Sequence, residues 1–298
     1  MSVSFAPIFI RLSETELGAN ATVFNRLFIF ALVFGTGSAI SYRFRETESK
    51  GENVETDKPI SWQQWLLLFA VGIISITTLG LWAISLQYTS VAKSMLLNNL
   101  TPVFTSLGAW LFLGKRFEFK FLLGMIIALG GAIALGLEDL HGSSENLLGD
   151  IYALLSAVFL GIYFLIVEQL RNRFSATTIL LWRCIIGSIL LIPIVLISEG
   201  QLFPSTLEAW LAVIGLGIIS EGLGQRLLAD CMDRLSSSFI SLFLLLEPII
   251  SSMLAWFIFA EGLSSTTWVG FAVILTGIYL AQSSSAAMQE SICCEASK

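Results

Sequence analysis

The sequence predicts an all-α polytopic membrane protein made of two inverted five-helix repeats, with the first helix of the first repeat cut short. Three observations predict it. Of the 298 residues, 55% are hydrophobic and 13% are charged, about half the charged share of a soluble protein. Apolar stretches of roughly 20 residues, long enough to cross a bilayer, recur along the whole chain. The second half of the sequence also repeats the first.

The apolar spans are expected near 22–41, 63–84, 90–113, 119–137, 149–168, 177–198, 207–228, 236–259 and 267–284. Most of the polar stretches between them are short, and the exception is the charged run at Tyr42–Ile60. Ahead of them stands SVSFAPIFIRL at Ser2–Leu12, apolar but about half a membrane thick at roughly 1.5 Å per residue. It lacks the basic start and cleavage site of a signal peptide.

A shift of 146 superposes Leu100, Pro102, Ser106, Ala109 and Trp110 on Leu246, Pro248, Ser252, Ala255 and Trp256. The same register, without a gap, superposes Gly124, Leu129 and Gly131 on Gly270, Leu275 and Gly277. Chance likeness between apolar helices would not keep Pro, Trp and Gly in step, so the pattern reads as a duplication. Earlier in the halves the offset is 157, which pairs Asn25-Arg26 with Trp182-Arg183. By that offset the first copy begins about nine residues late, which reads as a truncated or mis-assigned start, with a re-entrant or interfacial half-helix as the alternative. The expected organisation is a first repeat at 1–137, an outer linker at 138–148, a second repeat at 149–284 and a polar cytoplasmic tail at 285–298.

An odd number of helices per repeat requires the second copy to insert upside down. With a cytoplasmic amino terminus, Arg43, Arg45, Lys50, Lys58, Lys115, Arg116, Lys120, Arg171, Arg173 and Arg234 all fall inside. The outer loops Asp139–Leu148, Glu199–Thr206 and Glu261–Thr266 contain no Lys or Arg. That is the positive-inside pattern, with Arg11 and Lys93 as outer exceptions. It predicts a multi-pass protein of the cell membrane with both termini cytoplasmic.

Other classes are poorly served. The formal charge of −6 and the lack of a basic stripe argue against a nucleic-acid partner. Four scattered cysteines give neither a disulfide framework nor metal-ligand spacing, and the one histidine, His141, sits in a loop. No phosphate loop, zinc motif or nucleophile elbow is present. Neither an enzyme nor a cofactor or metal site is expected.

LLNNLTPVFTSLGAWLFLGKRFEFKFLLGMIIALGGAIAL, which begins at Leu96, and FLLLEPIISSMLAWFIFAEGLSSTTWVGFAVILTGIYL, which begins at Phe243, resemble the EamA-like ten-helix members of the drug/metabolite transporter superfamily. Arg26 and Arg183 match that family's pattern near the starts of the second helix of each half, and SFAPIFIRLSE resembles the later part of its first helix. The resemblance spans the chain and implies export or exchange of small metabolites. It names no solute.

The residues that could carry transport lie at mid-span. Pro102 and Pro248 lack an N–H and press on the carbonyls of Asn98 and Leu244, so each should kink its helix and free a backbone acceptor. Packing kinks alone would look the same. Glu247 should face inward, paired or protonated, because a carboxylate facing lipid is expensive. Glu221 and Gln225 lie one turn apart beside Gly217 and Gly224, with Arg183 and Arg226 as candidate counter-charges. Glu247 reads as structural or gating, and Glu221 as the better candidate for touching solute. Around them Asn98, Thr101, Trp82, Tyr152 and Tyr163 could line an aromatic cavity with sparse hydrogen-bonding groups, although helix packing would also explain them. The glycines at 124, 130, 131, 270 and 277 read as packing.

Two functions follow. One is a secondary transporter working by alternating access, its partners the bilayer, a small solute such as an amino acid, and protons as a candidate coupling ion. The other is a non-transporting membrane scaffold or sensor derived from a transporter. A homodimer is the candidate assembly.

Overall fold

This computed structural model describes residues 9–10, 13, 16–48, 61–89, 91–138, 147–247, 249–250, 253 and 265–284. Its elements are helices: α1 Ala19–Glu48, α2 Trp62–Tyr88, α3 Val91–Asn98, α4 Thr101–Leu113, α5 Phe119–Glu138, α6 Leu147–Arg171 and α7 Ala176–Ser198. There follow α8 Leu207–Gly215, a π-helical segment Leu216–Gln225, α9 Arg226–Cys231, α10 Ser237–Phe243 and α11 Ser265–Gln282. Among the described residues, six stretches are long and apolar enough to cross a membrane: Ala19–Gly37, Trp62–Ser85, Lys93–Leu113, Leu147–Arg171, Ala176–Ser198 and Leu207–Cys231. Large apolar side chains such as Trp62, Phe112 and Ile197 stand outermost on these helices. Lipid, not water, favours that arrangement.

Two spans depart from plain α-helix. The stretch predicted at 90–113 is interrupted at Asn99–Leu100, and α4 restarts with Pro102 in its first turn, where a missing N–H costs nothing. The Asn98 carbonyl is instead taken by the Thr101 hydroxyl at 2.6 Å. The second-copy counterpart breaks at Leu244–Leu245 after α10; Pro248 lies outside the described residues. The other departure is the π segment, ten residues where a continuous α-helix was expected over 207–228. Of the stretch Ser2–Leu12, only residues 9 and 10 are described.

By packing, the chain divides into two compact units, residues 1–73 with 173–227 and residues 74–172 with 228–298. Each unit draws on both halves of the sequence, so these are different divisions from the sequence repeats.

In the first unit, α1 runs along α7, α8 and the π segment. Two carboxylates outside the spans tie helix starts together. Glu199, at the end of α7, accepts the backbone N–H of Asn20 and of Ala21, both at 2.9 Å, and so satisfies donors at the start of α1. Gly18 leaves room for this contact: a Cβ there would sit 2.2 Å from the Glu199 carboxyl carbon, so the carboxylate would have to shift. Glu16 in turn accepts from the backbone of Ser205 and Thr206 and from the Thr206 hydroxyl at the start of α8. The Thr206 hydroxyl, then the Ser205 N–H, hold the Glu16 carboxyl down to about 2. Between these caps, Phe24 and Phe28 pack on Phe203, and the Asn25 amide donates to the Leu202 carbonyl at 2.7 Å.

In the second unit, α5 and α11 make the closest pairing. A Cβ on Gly277 would lie 2.3 Å from the Ala128 backbone nitrogen, and one on Gly124 would lie 2.6 Å from the Gly277 carbonyl oxygen. Glycine is what lets the two backbones touch. Gly131 likewise abuts Ile274, whereas Gly130 faces open space and is not part of the contact. Helix α6 packs on α3 and α4: Asp150 pairs with Lys93 at 2.7 Å, and Glu168 pairs with Lys115 while accepting the Ser237 N–H that opens α10. Lys93, the outer exception in the charge pattern, is thus neutralised within its own unit.

Candidate functional site

In the first unit, three charged side chains converge inside the apolar stretches. Glu221 is fully buried, Arg183 is 8% exposed and Arg26 is 16% exposed by side chain. The Arg26 Nε donates to Glu221 Oε2 at 2.6 Å, and the Arg183 Nη1 donates to Glu221 Oε1. The buried thiol of Cys184 lies 3.9 Å from the same Oε1. One carboxylate is thus clamped between two guanidiniums carried by α1 and α7. Arg–carboxylate pairing of this kind is charge-assisted and tolerates little displacement.

The local sequence explains how the three meet. LGIISEGLGQ places glycine at 217, 222 and 224. A Cβ on Gly217 would lie 2.7 Å from the Ile29 side chain, and one on Gly222 would lie 2.6 Å from Phe34. Without those methyl groups the π segment approaches α1 until Arg26 can reach Glu221. Widened π turns are uncommon and recur at functional positions. Three buried oxygens nearby in sequence, Asn25 Oδ1, Ser188 Oγ and Ser220 Oγ, have no hydrogen-bond partner among the described residues.

Of the residues singled out in the sequence, Glu221 and Arg183 are brought into direct contact, and Gln225 ends the same π segment half-buried. The second arginine on Glu221 is Arg26. Arg226, the other counter-charge considered, is exposed and is not one of the two. The sequence did carry a signal for Arg26, because the 157 offset pairs it with Arg183. That pairing was read as evidence of duplication and of family resemblance; in the structure Arg26 and Arg183 both bond the one carboxylate.

The remaining candidates belong to the second unit. Trp82, on α2, has a buried indole N–H, and Asn98, ending α3, has a buried amide oxygen; neither atom has a partner among the described residues. Thr101 is buried, and its carbonyl accepts the Thr105 hydroxyl at 2.9 Å. On α6, the Tyr152 ring lies 6.2 Å from that of Tyr88 on α2, and Tyr163 is buried against Phe164. One turn beyond Tyr152, Ser156 donates to the Thr78 carbonyl at 3.0 Å. Glu247 is half-buried just past the α10 break, its N–H donating to the Leu244 carbonyl at 2.8 Å.

Comparison with known proteins gives a consistent answer. A model of the EamA-like transporter family matches residues 1–137 and again 147–282. An uncharacterized transporter of Archaeoglobus fulgidus is 26% identical over 214 residues, covering 72% of this chain and 75% of that protein. Solute carrier family 35 member F6 of Homo sapiens is 24% identical over 172 residues, 53% of this chain and 46% of that protein. A crystal structure with 18% identity superposes with a TM-score of 0.75 over 94% of this chain and 92% of the other; at that identity the likeness speaks for the fold.

Proposed function

This chain belongs to the EamA-like transporter family, and on that premise we propose that it carries small metabolites, such as amino acids or drug-like amphipathic solutes, across the cell membrane by alternating access. The observation that carries the reading is the Arg26–Glu221–Arg183 clamp. Charged side chains inside spanning helices are costly, and they are kept where they serve a solute or ion path. Here a buried carboxylate holds two arginines in the middle of the apolar stretch 207–231, the depth at which repeat transporters place their sites.

Two further features support it. The two arginines stand in equivalent places of the duplicated sequence, as the halves of an inverted repeat would place them. In the second unit, the unpartnered indole N–H of Trp82 and amide oxygen of Asn98 are atoms that water or a solute would satisfy, since buried unpaired polar groups cost about 1–3 kcal/mol each. Gradients of solute or protons supply the driving force, because the sequence offers no nucleotide site. The inverted copies rock in turn, with both termini cytoplasmic.

Purified protein in liposomes preloaded with unlabelled solutes tests the proposal by counterflow. Saturable, stereoselective accumulation of at least one labelled amino acid or amphipathic solute is the expected result. Accumulation no faster than in empty liposomes across the panel would leave the scaffold reading in its place.

A further inference from the structure

The clamp carries one positive charge too many. Glu221 offers a single negative charge to the two guanidiniums that hold it, and both of its oxygens are engaged. No other charged side chain occurs in Ala19–Gly37 besides Arg26, or in Ala176–Ser198 besides Arg183. The two arginines are not in equal positions. Arg183 is the more deeply buried, whereas Arg26 keeps 16% of its side chain accessible. Arg26 also gives Glu221 only its Nε. Among the described residues, its two terminal amino nitrogens have no hydrogen-bond partner.

A guanidinium has five N–H donors in a planar fork suited to a two-point grip on a carboxylate. Glu221 fixes the Nε side of that fork and orients the plane, while Gly217 and Gly222 hold the backbone close enough to keep it so. The remaining edge is a pre-positioned, partly accessible cationic surface within a spanning helix. Leaving it against lipid is expensive. An anion arriving there would balance the charge.

We propose that the terminal amino edge of Arg26 receives the carboxylate of the transported solute, with Glu221 and Arg183 as positioning residues that do not touch it. The inference rests on the transporter reading and narrows it: substrates carry a free carboxylate, and the matching amides and amines are rejected. A free inorganic anion has the same charge chemistry, so the experiment must tell the two apart.

The probes are L-leucine, L-phenylalanine, L-threonine and L-glutamine, each with its carboxamide and its decarboxylated amine, and separately sodium chloride and sodium acetate. Binding to the full chain in detergent micelles is read by thermal shift and by competition with whichever labelled acid binds best. The expected result is that at least one free acid binds about tenfold or more tightly than its amide. Arg26→Gln should lose that preference, Arg26→Lys should retain part of it, and chloride should not compete. Equal binding of acids and amides, preference by no member of the panel, or an undiminished preference in Arg26→Gln would each overturn the inference. So would competition by chloride as strong as by the acid, which would make the clamp a site for a free ion. The wild-type comparison of acid with amide holds even if Arg26→Gln fails to fold. Binding with the predicted preference but no counterflow would sink the transporter reading instead, and counterflow that ignores the carboxylate would sink only this one.

Discussion

The Nε of Arg26 lies 2.6 Å from Glu221 Oε2, and this joins α1 to the π segment inside a single packing unit. Glu221 is fully buried and its other oxygen is bonded to Arg183. Replacing it by glutamine keeps the shape and removes the charge that both arginines require. Breaking a buried ion pair by neutralising one partner costs about 3–5 kcal/mol. Glu221→Gln should therefore melt well below the wild-type protein in detergent, and Glu221→Gln combined with Arg26→Gln should recover part of the loss. A double substitution that is simply additive would show that the two side chains do not interact.

Much of the helical architecture was legible in the sequence. Hydropathy marked the six stretches that are long and apolar enough to cross a membrane among the described residues. The break at Asn99–Leu100 follows from Pro102, whose ring forbids the hydrogen bond a continuous helix would need. Arg183 was among the counter-charges expected for Glu221, but the second arginine was not read correctly. Glu221 has Arg226 close by in sequence and Arg26 almost two hundred residues away, and nothing local says which one the fold brings near. The π segment was equally hidden, because its three glycines are compatible with an ordinary packed helix. Only contact with Ile29 and Phe34 of α1 shows why they are there.

The α5–α11 contact supplies an internal control. Gly277 has the Ala128 backbone where a methyl group would go, and neither main chain can yield without separating the helices. Gly277→Ala should cost on the order of 1–3 kcal/mol or more through overpacking. Gly130, on the same helix as Gly131 but facing open space, should accept alanine and gain up to about 1 kcal/mol of helix propensity. Melting curves of the two variants should move in opposite directions. A Gly277→Ala protein as stable as wild type would mean that α5 and α11 do not approach this closely.

Glu16 predicts a pH effect of definite sign. The bonds from Thr206 and Ser205 lower its carboxyl from the usual 4.5 to about 2, so the folded protein prefers the ionised form. Its contribution is complete above the unfolded value of about 4.5, declines as the pH falls, and is gone below about 2. Wild type should therefore lose its advantage over Glu16→Gln progressively as the pH is lowered through that window. Thermal melts of both proteins on an acid series measure it. A stability difference that stays constant across the window, or grows toward acid, would place the Glu16 carboxylate away from the start of α8.

An inverted arrangement of the two copies, as proposed above, predicts which loops share a face of the membrane. Lys120 and Arg173 carry part of the positive charge expected on the cytoplasmic side, while Asp139 and Gln201 lie in segments devoid of Lys and Arg. The number of spans between them decides the outcome. One span separates Lys120 from Asp139, one separates Asp139 from Arg173, and one separates Arg173 from Gln201. Cysteines introduced singly as Lys120→Cys, Asp139→Cys, Arg173→Cys and Gln201→Cys, in a background lacking Cys231, Cys293 and Cys294, can be probed with a membrane-impermeant maleimide. Positions 139 and 201 should label on intact cells, and positions 120 and 173 only after permeabilisation. Cys184 is buried and should stay silent throughout. If 120 and 173 label from different sides, an odd number of crossings separates them instead of two, the copies insert with the same polarity, and Arg26 and Arg183 cease to be inverted equivalents.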